Sequence, residues 1–282
     1  MAKRKVDIVV ISDVHLGTYG CHPKELILYL KSIKPNMLVL NGDIIDIWQF
    51  SKHYWPNAHM QVIKQLTSMM SKGVEICYIT GNHDEMLRKF EGFELGNLKI
   101  ENKLILERDG KKMWFFHGDV FDVTMQNAKW LTKLGAKGYD LLILINRIVN
   151  YCLTKIGRKK ISLSKKIKEK VKGAVSFINN FELIAAEIAI REGYDYVICG
   201  HIHQPEIKEI KTENGNVTYL NSGDWVENLT ALEYDNNSWQ LYRYQQNIDF
   251  AKDDDEKSDY ILGSTKLFEL LLIDFNISHK EN

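Results

Sequence analysis

Short apolar runs rich in β-branched residues recur along the chain at 6–11, 37–40, 74–79, 112–116, 194–199 and 217–220. Runs of this length predict buried strands. Between the early ones, 23–33 and 58–72 carry apolar residues at helical spacing, so strand and helix alternate and an α/β fold is expected. Two later runs, 229–234 and 239–244, flank the turn-forming Asp235, Asn236 and Asn237, which predicts an antiparallel hairpin. No internal repeat stands out.

The polar residues that close these runs are of one kind. The first run ends in SDVHLG, presenting Asp13 and His15, and the second in NGDIIDIW, presenting Asp43 and Asp46. The third ends in GNHDE, with Asn82, His83 and Asp84, and the fourth in HGD, with His117. The fifth ends in GHIH, with His201 and His203. Five successive strands thus deliver metal-ligand residue types at their carboxyl ends, where open α/β sheets place their sites. Any one of these histidines alone is as well read as a hydrogen-bonded interior residue. Their joint appearance, in order and each after a strand, is not.

Histidine nitrogens mixed with carboxylate oxygens suit Mn²⁺, Fe²⁺ or Zn²⁺ better than Ca²⁺ or Mg²⁺. Asp13 and His15, two apart on a segment expected to be extended, would point the same way and clasp one ion. His201 and His203 share that spacing and could serve two adjacent ions, while a carboxylate such as Asp43 can bridge. Two ions held roughly 3.5–4 Å apart can grip a phosphoryl group and stabilise an in-line displacement. Trp48 and Trp225 each follow a motif acid and would serve equally as cleft walls or as core.

Two segments do not fit a simple sandwich. From about 125 to 192 runs a long helical tract between two strands, too long for an ordinary crossover. It pairs an apolar stretch, YDLLILINRIVNYCL, with a lysine-rich one from Lys155 to Lys172. The last segment, 249–282, opens on the polar AKDDDEKSD and contains the apolar KLFELLLIDF. It is expected to be a linker and tail outside a domain spanning 1–248.

Composition narrows the picture modestly. The 282 residues can bury one substantial core, and a net charge of zero gives no general preference for nucleic acid. The lysine-rich stretch lacks interleaved aromatics, so nucleic acid is not the expected partner. Four cysteines without CxxC spacing read as reduced, buried thiols of a cytoplasmic protein. The apolar run after the basic start is too short for a signal peptide.

Taken together, DVH, GD, GNHD, HGD and GHIH resemble the calcineurin-like metallophosphoesterase superfamily, over most of the chain. The resemblance implies a four-layer αββα sandwich of two mixed β-sheets, with the tract at 125–192 as an inserted helical lid. It implies Asp13, His15, Asp43 and His203 around one metal, with Asp43 bridging to a second held by Asn82, His117 and His201. Two divalent transition metals are expected, Mn²⁺ first, with Fe²⁺ or Zn²⁺ as substitutes. His83 would act at the phosphate as general acid or charge stabiliser, and Asp84 would orient it. Asp119 is expected to support a ligand, and Asp46 and Asp122 to contact substrate or the ligand shell.

Protein phosphatases of this superfamily carry Arg-Gly after the second acid of the GD block, and here Ile47 and Trp48 follow Asp46. The blocks SDVHLG, GDIIDIW, HGDVFD, GHIHQPE and NSGDWVENLTALEY are instead similar to the UDP-2,3-diacylglucosamine diphosphatase group of lipid A biosynthesis. Its best-known members have arginine where this chain has His83, so the likeness is to a subgroup with histidine there. That resemblance implies a pyrophosphatase releasing UMP from a nucleotide-linked glycolipid. It also implies a lid that contacts acyl chains and the inner face of the cytoplasmic membrane. Oligomeric state is not readable. The alternatives are a metallophosphoesterase for another nucleotide, nucleotide-linked lipid or phosphodiester, and a binding scaffold, which would typically have lost ligands.

Overall fold

The computed structural model describes residues 3–48, 54–121 and 166–244, with the side chains of 166–177 and 179 excepted. Twelve strands build two sheets among these residues. The first sheet is ordered β12 (Ser238–Arg243), β11 (Thr230–Asp235), β1 (Arg4–Ile11), β2 (Ile33–Asn41), β3 (Glu75–Ile79), β5 (Leu98–Glu101), β4 (Glu94–Leu95). β1, β2, β3 and β5 run parallel, and the others pair antiparallel at the edges. The second sheet is ordered β6 (Lys103–Arg108), β7 (Lys111–Phe116), β8 (Tyr196–Cys199), β10 (Gly215–Asn221), β9 (Glu206–Thr212). Its central β7, β8 and β10 are parallel, with antiparallel strands at both edges.

The period-two alternation of each strand explains the layering. Val9, Ile11, Leu38, Leu40, Ile76 and Tyr78 face α1 (Pro23–Ser32) and α2 (Asn57–Met70) and share a core with Leu26, Leu30, Val62 and Leu66. The alternate residues Ile8, Val10, Val39, Cys77 and Ile79 meet Met113, Phe115, Ile198 and Leu220 of the second sheet. That sheet turns Phe116, Val197, Cys199, Val217 and Tyr219 outward onto Phe181, Ala185, Ala186 and Ala189 of α3 (Lys166–Arg191). Helix, sheet, sheet and helix follow in order, as the four-layer expectation requires.

Some elements differ from the sequence reading. β4, β5, β6 and β9 are too polar to register as apolar runs; they are short or half-exposed strands at or next to the sheet edges, with ion pairs such as Lys99–Glu101 on them. β2 starts at Ile33 directly after α1 and contains Pro35. Proline is accommodated because β2 there has a neighbour only on the β1 side, β3 pairing from Met37 onward. The hairpin of β11 and β12 forms as expected, with Asn236 and Asn237 both in the left-handed region, the backbone of a type I′ turn.

The tract expected at 125–192 as a lid ends in α3, and the residues Phe181 to Ala189 are sandwich rather than cover. Buried Glu182 receives Lys208 of β9 at 2.7 Å, tying the helix to the sheet edge. Asp122, the apolar stretch, the lysines of 155–165 and the tail after 244 lie outside the described residues. Among the described residues, no helix is long and apolar enough to cross a membrane.

Candidate active site

The parallel strands β1, β2 and β3 of one sheet and β7 and β8 of the other deliver their carboxyl ends to the same region. Three sets of ligand atoms converge there, each within 4.8 Å of one another: Asp13, His15 and His203; His15, Asp43 and His83; Asp43, His117 and His201. The first set gathers three of the residues expected around one metal and the third gathers three of those expected around the other, while Asp43 is shared by the second and third sets.

The backbone that achieves this is not extended, contrary to expectation. Asp13, His15, Asp43, His201 and His203 all adopt positive φ, between 52° and 66°. A non-glycine residue in that region costs about 1–2 kcal/mol. Cross-loop hydrogen bonds hold the chain in place: Asp13 N–H donates to Gly42 O at 3.0 Å, His15 N–H to Asp43 O at 2.9 Å, and Gly200 N–H to His117 O at 2.9 Å. The sharp turn after each strand swings alternate side chains inward. Gly81 is required by close approach, since a Cβ there would fall on the Asp43 carboxylate and its backbone nitrogen. A Cβ on Gly42, itself at φ 84°, would meet the His117 ring.

Each ligand candidate is aimed by a partner. His117 Nδ1 lies 2.9 Å from the Asn41 carbonyl, so Nδ1 carries the proton and Nε2 points at the site. Asp13 accepts the His201 N–H through Oδ2 at 3.0 Å, and its Oδ1 lies 3.1 Å from His203 Nε2. Asp43 accepts the His83 N–H at 2.8 Å through Oδ1, while Oδ2 lies 3.3 Å from His117 Nε2.

Four buried atoms, Asp13 Oδ1, His15 Nε2, Asn82 Oδ1 and His117 Nε2, have no hydrogen-bond partner among the described residues. Unsatisfied polar atoms at such depth are costly, and four converging on one region are what shared cations would satisfy. The donors therefore fit divalent metals. Charge points the same way. Burial pushes the Asp13 carboxyl up, but His203 and His117 bring it down to about 2. Asp43 is lowered against burial by His117, His15 and His83. Burial would depress His203, yet Asp13 raises it to about 9, and His117 is raised by Asp43. The oxygens that hold protons on these histidines are those a dication would neutralise.

His83 is oriented by a different acid from the one expected. Asp84, buried, spends both oxygens elsewhere: Oδ1 accepts Gly81 N–H at 2.6 Å, and Oδ2 accepts Ile44 N–H at 2.9 Å and the Tyr78 hydroxyl at 2.6 Å. It braces the turn. The acid on the imidazole is Asp46, whose Oδ2 lies 2.8 Å from His83 Nδ1 and 3.4 Å from His15 Nδ1. Chain adjacency favours Asp84, but the turn directs its carboxylate back to the Gly81 amide. Asp119 likewise pairs with Arg88, whose Nη2 reaches Gly81 O at 3.4 Å, and among the described residues it makes no hydrogen bond to a ligand candidate. Trp225 is fully buried in the core, whereas Trp48 is 57% exposed beside His83.

Further contributors went unnoticed in the sequence. Asp224 is buried 3.9 Å from His203 Nδ1 and caps the Val226–Asn228 amides, and Asn228 donates to His203 O at 3.1 Å. Buried His59 on α2 accepts Gly17 N–H at 2.9 Å, holding the loop that follows His15. The GD of NSGDW was the only available signal for the first; nothing local marks the second.

The model of the calcineurin-like phosphoesterase family matches residues 6–205. The chain belongs to that family. This phosphoesterase is 25% identical over 245 residues to UDP-2,3-diacylglucosamine hydrolase of Aliivibrio fischeri (strain MJ11), covering 84% of this chain and 98% of that protein. It is 25% identical over 240 residues to the enzyme of the same name from Stenotrophomonas maltophilia (strain R551-3), covering 82% and 96%. Among solved structures, an archaeal phosphodiesterase aligns with TM-score 0.41 and 16% identity over 84% of this chain and 98% of its own. The protein is a metal-dependent hydrolase of phosphoric esters or anhydrides. Calcineurin-like phosphoesterases use divalent metals, and the three donor sets are where this one can take them.

Proposed function

We propose that the protein hydrolyses the diphosphate of a UDP-2,3-diacylglucosamine-type glycolipid, giving UMP and the acylated sugar 1-phosphate. The observation that carries the chemistry is the pair of donor sets, Asp13–His15–His203 and Asp43–His117–His201, which include buried ligand atoms without hydrogen-bond partners among the described residues. Similarity to hydrolases of that name over nearly their whole length supports the substrate. Asp13, His15, Asp43 and His203 would hold one cation, and Asp43, Asn82, His117 and His201 a second. Mn²⁺ suits this donor mixture, with Fe²⁺ or Zn²⁺ as substitutes. When bound, such cations supply electrophilic stabilisation of the phosphoryl oxygens and a water of lowered pKa.

The chain's own part centres on His83. Its Nδ1 donates to Asp46, which leaves Nε2 to carry a proton to the oxygen of the departing group. Water adds to one phosphorus as the bridging P–O bond breaks, and His83 supplies the leaving oxygen's proton. The raised His83 pKa suits this role: burial alone would depress it, and Asp46 and Asp43 overcome that. The inserted tract ahead of α3 would shelter the acyl chains and meet the inner face of the cytoplasmic membrane, within a domain ending near 248 and before a polar tail at 249–282.

The test is UMP release from the UDP-linked lipid by Mn²⁺-reconstituted protein. No UMP release alongside cleavage of simple aryl diesters would transfer the activity to another phosphodiester. Deleting the insertion should abolish turnover of the lipid while sparing small aryl phosphates.

A further inference from the structure

Trp48 is a large aromatic residue left in solvent at the centre of the chemistry. It is 57% exposed, yet its ring centroid lies 4.8 Å from that of His83, tilted 38°. The chain holds it there from both sides: Ile47 N–H donates to His83 O at 3.0 Å, and Asp46, two residues before Trp48, binds His83 Nδ1 at 2.8 Å. Leu16 and Ile45 bridge just upstream, so the loop carrying Trp48 is fastened to the loop carrying His15. A core role does not account for the exposure, and apolar packing alone does not require a ring over His83.

We propose that Trp48 is a stacking ledge for the base of a nucleotide whose phosphorus lies at the metal centre. A phosphorus at that centre would lie within reach of His83, and Trp48 is one ring further out. In a nucleotide the base is separated from its 5′-phosphorus by a ribose, which spans a comparable step. An indole presents a broad face to a pyrimidine or purine and is tolerant of base identity, so it discriminates a nucleoside from a bare sugar. The inference deepens the proposed function by locating the nucleoside end of the substrate, and it rests on that reading only for the identity of the base.

The experiment uses competition, so that it works with any phosphodiester the enzyme turns over. UMP and ribose 5-phosphate, which differ only by the base, are titrated against hydrolysis of an aryl phosphodiester by the Mn²⁺-loaded full-length protein. In the wild type UMP should bind about tenfold more tightly, the size expected for one base on one aromatic ring. Trp48→Ala should bring the ratio near one, Trp48→Phe should leave it intermediate, and Tyr19→Ala, removing the exposed aromatic of the neighbouring loop, should leave it unchanged. Circular dichroism and melting confirm that each variant is folded, and Trp48→Leu stands in if Trp48→Ala is not. A ratio near one in the wild type, or a preference that survives Trp48→Ala, overturns the proposal. Equal slowing of hydrolysis with an unchanged ratio also overturns it, because Trp48 would then only hold His83. Failure to cleave the UDP-linked lipid while the ratio collapses in Trp48→Ala would reject the lipid substrate and keep the ledge.

Discussion

The Asp46 carboxylate lies 2.8 Å from His83 Nδ1, and this contact, made across two loops, assigns His83 its acid partner. The neighbouring Asp84 instead accepts three hydrogen bonds, from the Gly81 amide, the Ile44 amide and the Tyr78 hydroxyl. The two acids therefore separate function from stability.

Asp46→Asn removes the negative charge that, with Asp43, lifts His83 above the ordinary histidine value against burial. A general acid works while protonated, so activity falls as pH rises through its pKa. The alkaline limb of the kcat profile should move to lower pH, with kcat at neutrality reduced about 10²-fold. Asp84→Asn should leave that limb in place and instead destabilise the fold by about 2 kcal/mol, as measured by denaturant unfolding.

Metal removal should be reversible and stabilising contacts should follow it. Chelator-treated protein is expected to be inactive and to melt earlier. Saturation with Mn²⁺ at a hundred times the dissociation constant should restore about 2.7 kcal/mol. Asp43→Asn, which weakens the carboxylate shared by neighbouring donor sets, should blunt the thermal shift more than Asn82→Ala.

Gly81→Ala forces a methyl into the Asp43 carboxylate and backbone. The loop must move, and metal affinity should fall at least tenfold, read by titration of the metal-free protein. Because the strain is local, far-ultraviolet circular dichroism should change little.

His59 tests stability rather than chemistry. Burial lowers its pKa, so the folded state binds a proton less readily than the unfolded chain. Its stabilising contribution is complete above the unfolded value near 6.5 and is lost as pH falls from there through the lowered folded value. The slope of unfolding free energy against pH in that window should flatten in His59→Gln, whose amide cannot titrate.

The alternation of apolar residues and the turn after each run were legible in the chain because burial on two faces leaves a short, dense signature. That made β1, β2, β3, β7, β8 and β10 readable, together with Asp13, His15, Asp43, Asn82, His117, His201 and His203 at their ends. Polar edge strands such as β6 and β9 gave no such signal, since one face meets water and charged residues interrupt the apolar run, although each is joined by a short turn to the strand it pairs with.

What the sequence by itself determined was the kind of chemistry: nitrogen and oxygen donors after successive buried strands leave few alternatives. Tertiary structure alone decided the pairing of those donors. Whether Asp46 or Asp84 serves His83, whether Trp48 or Trp225 reaches solvent, and which strands share a sheet are long-range contacts. They depend on left-handed turns at Asp13, His15, Asp43, His201 and His203, which are unfavourable locally and are held by hydrogen bonds between loops. Local preference would place the chain elsewhere, so only the assembled fold reveals which way each side chain turns.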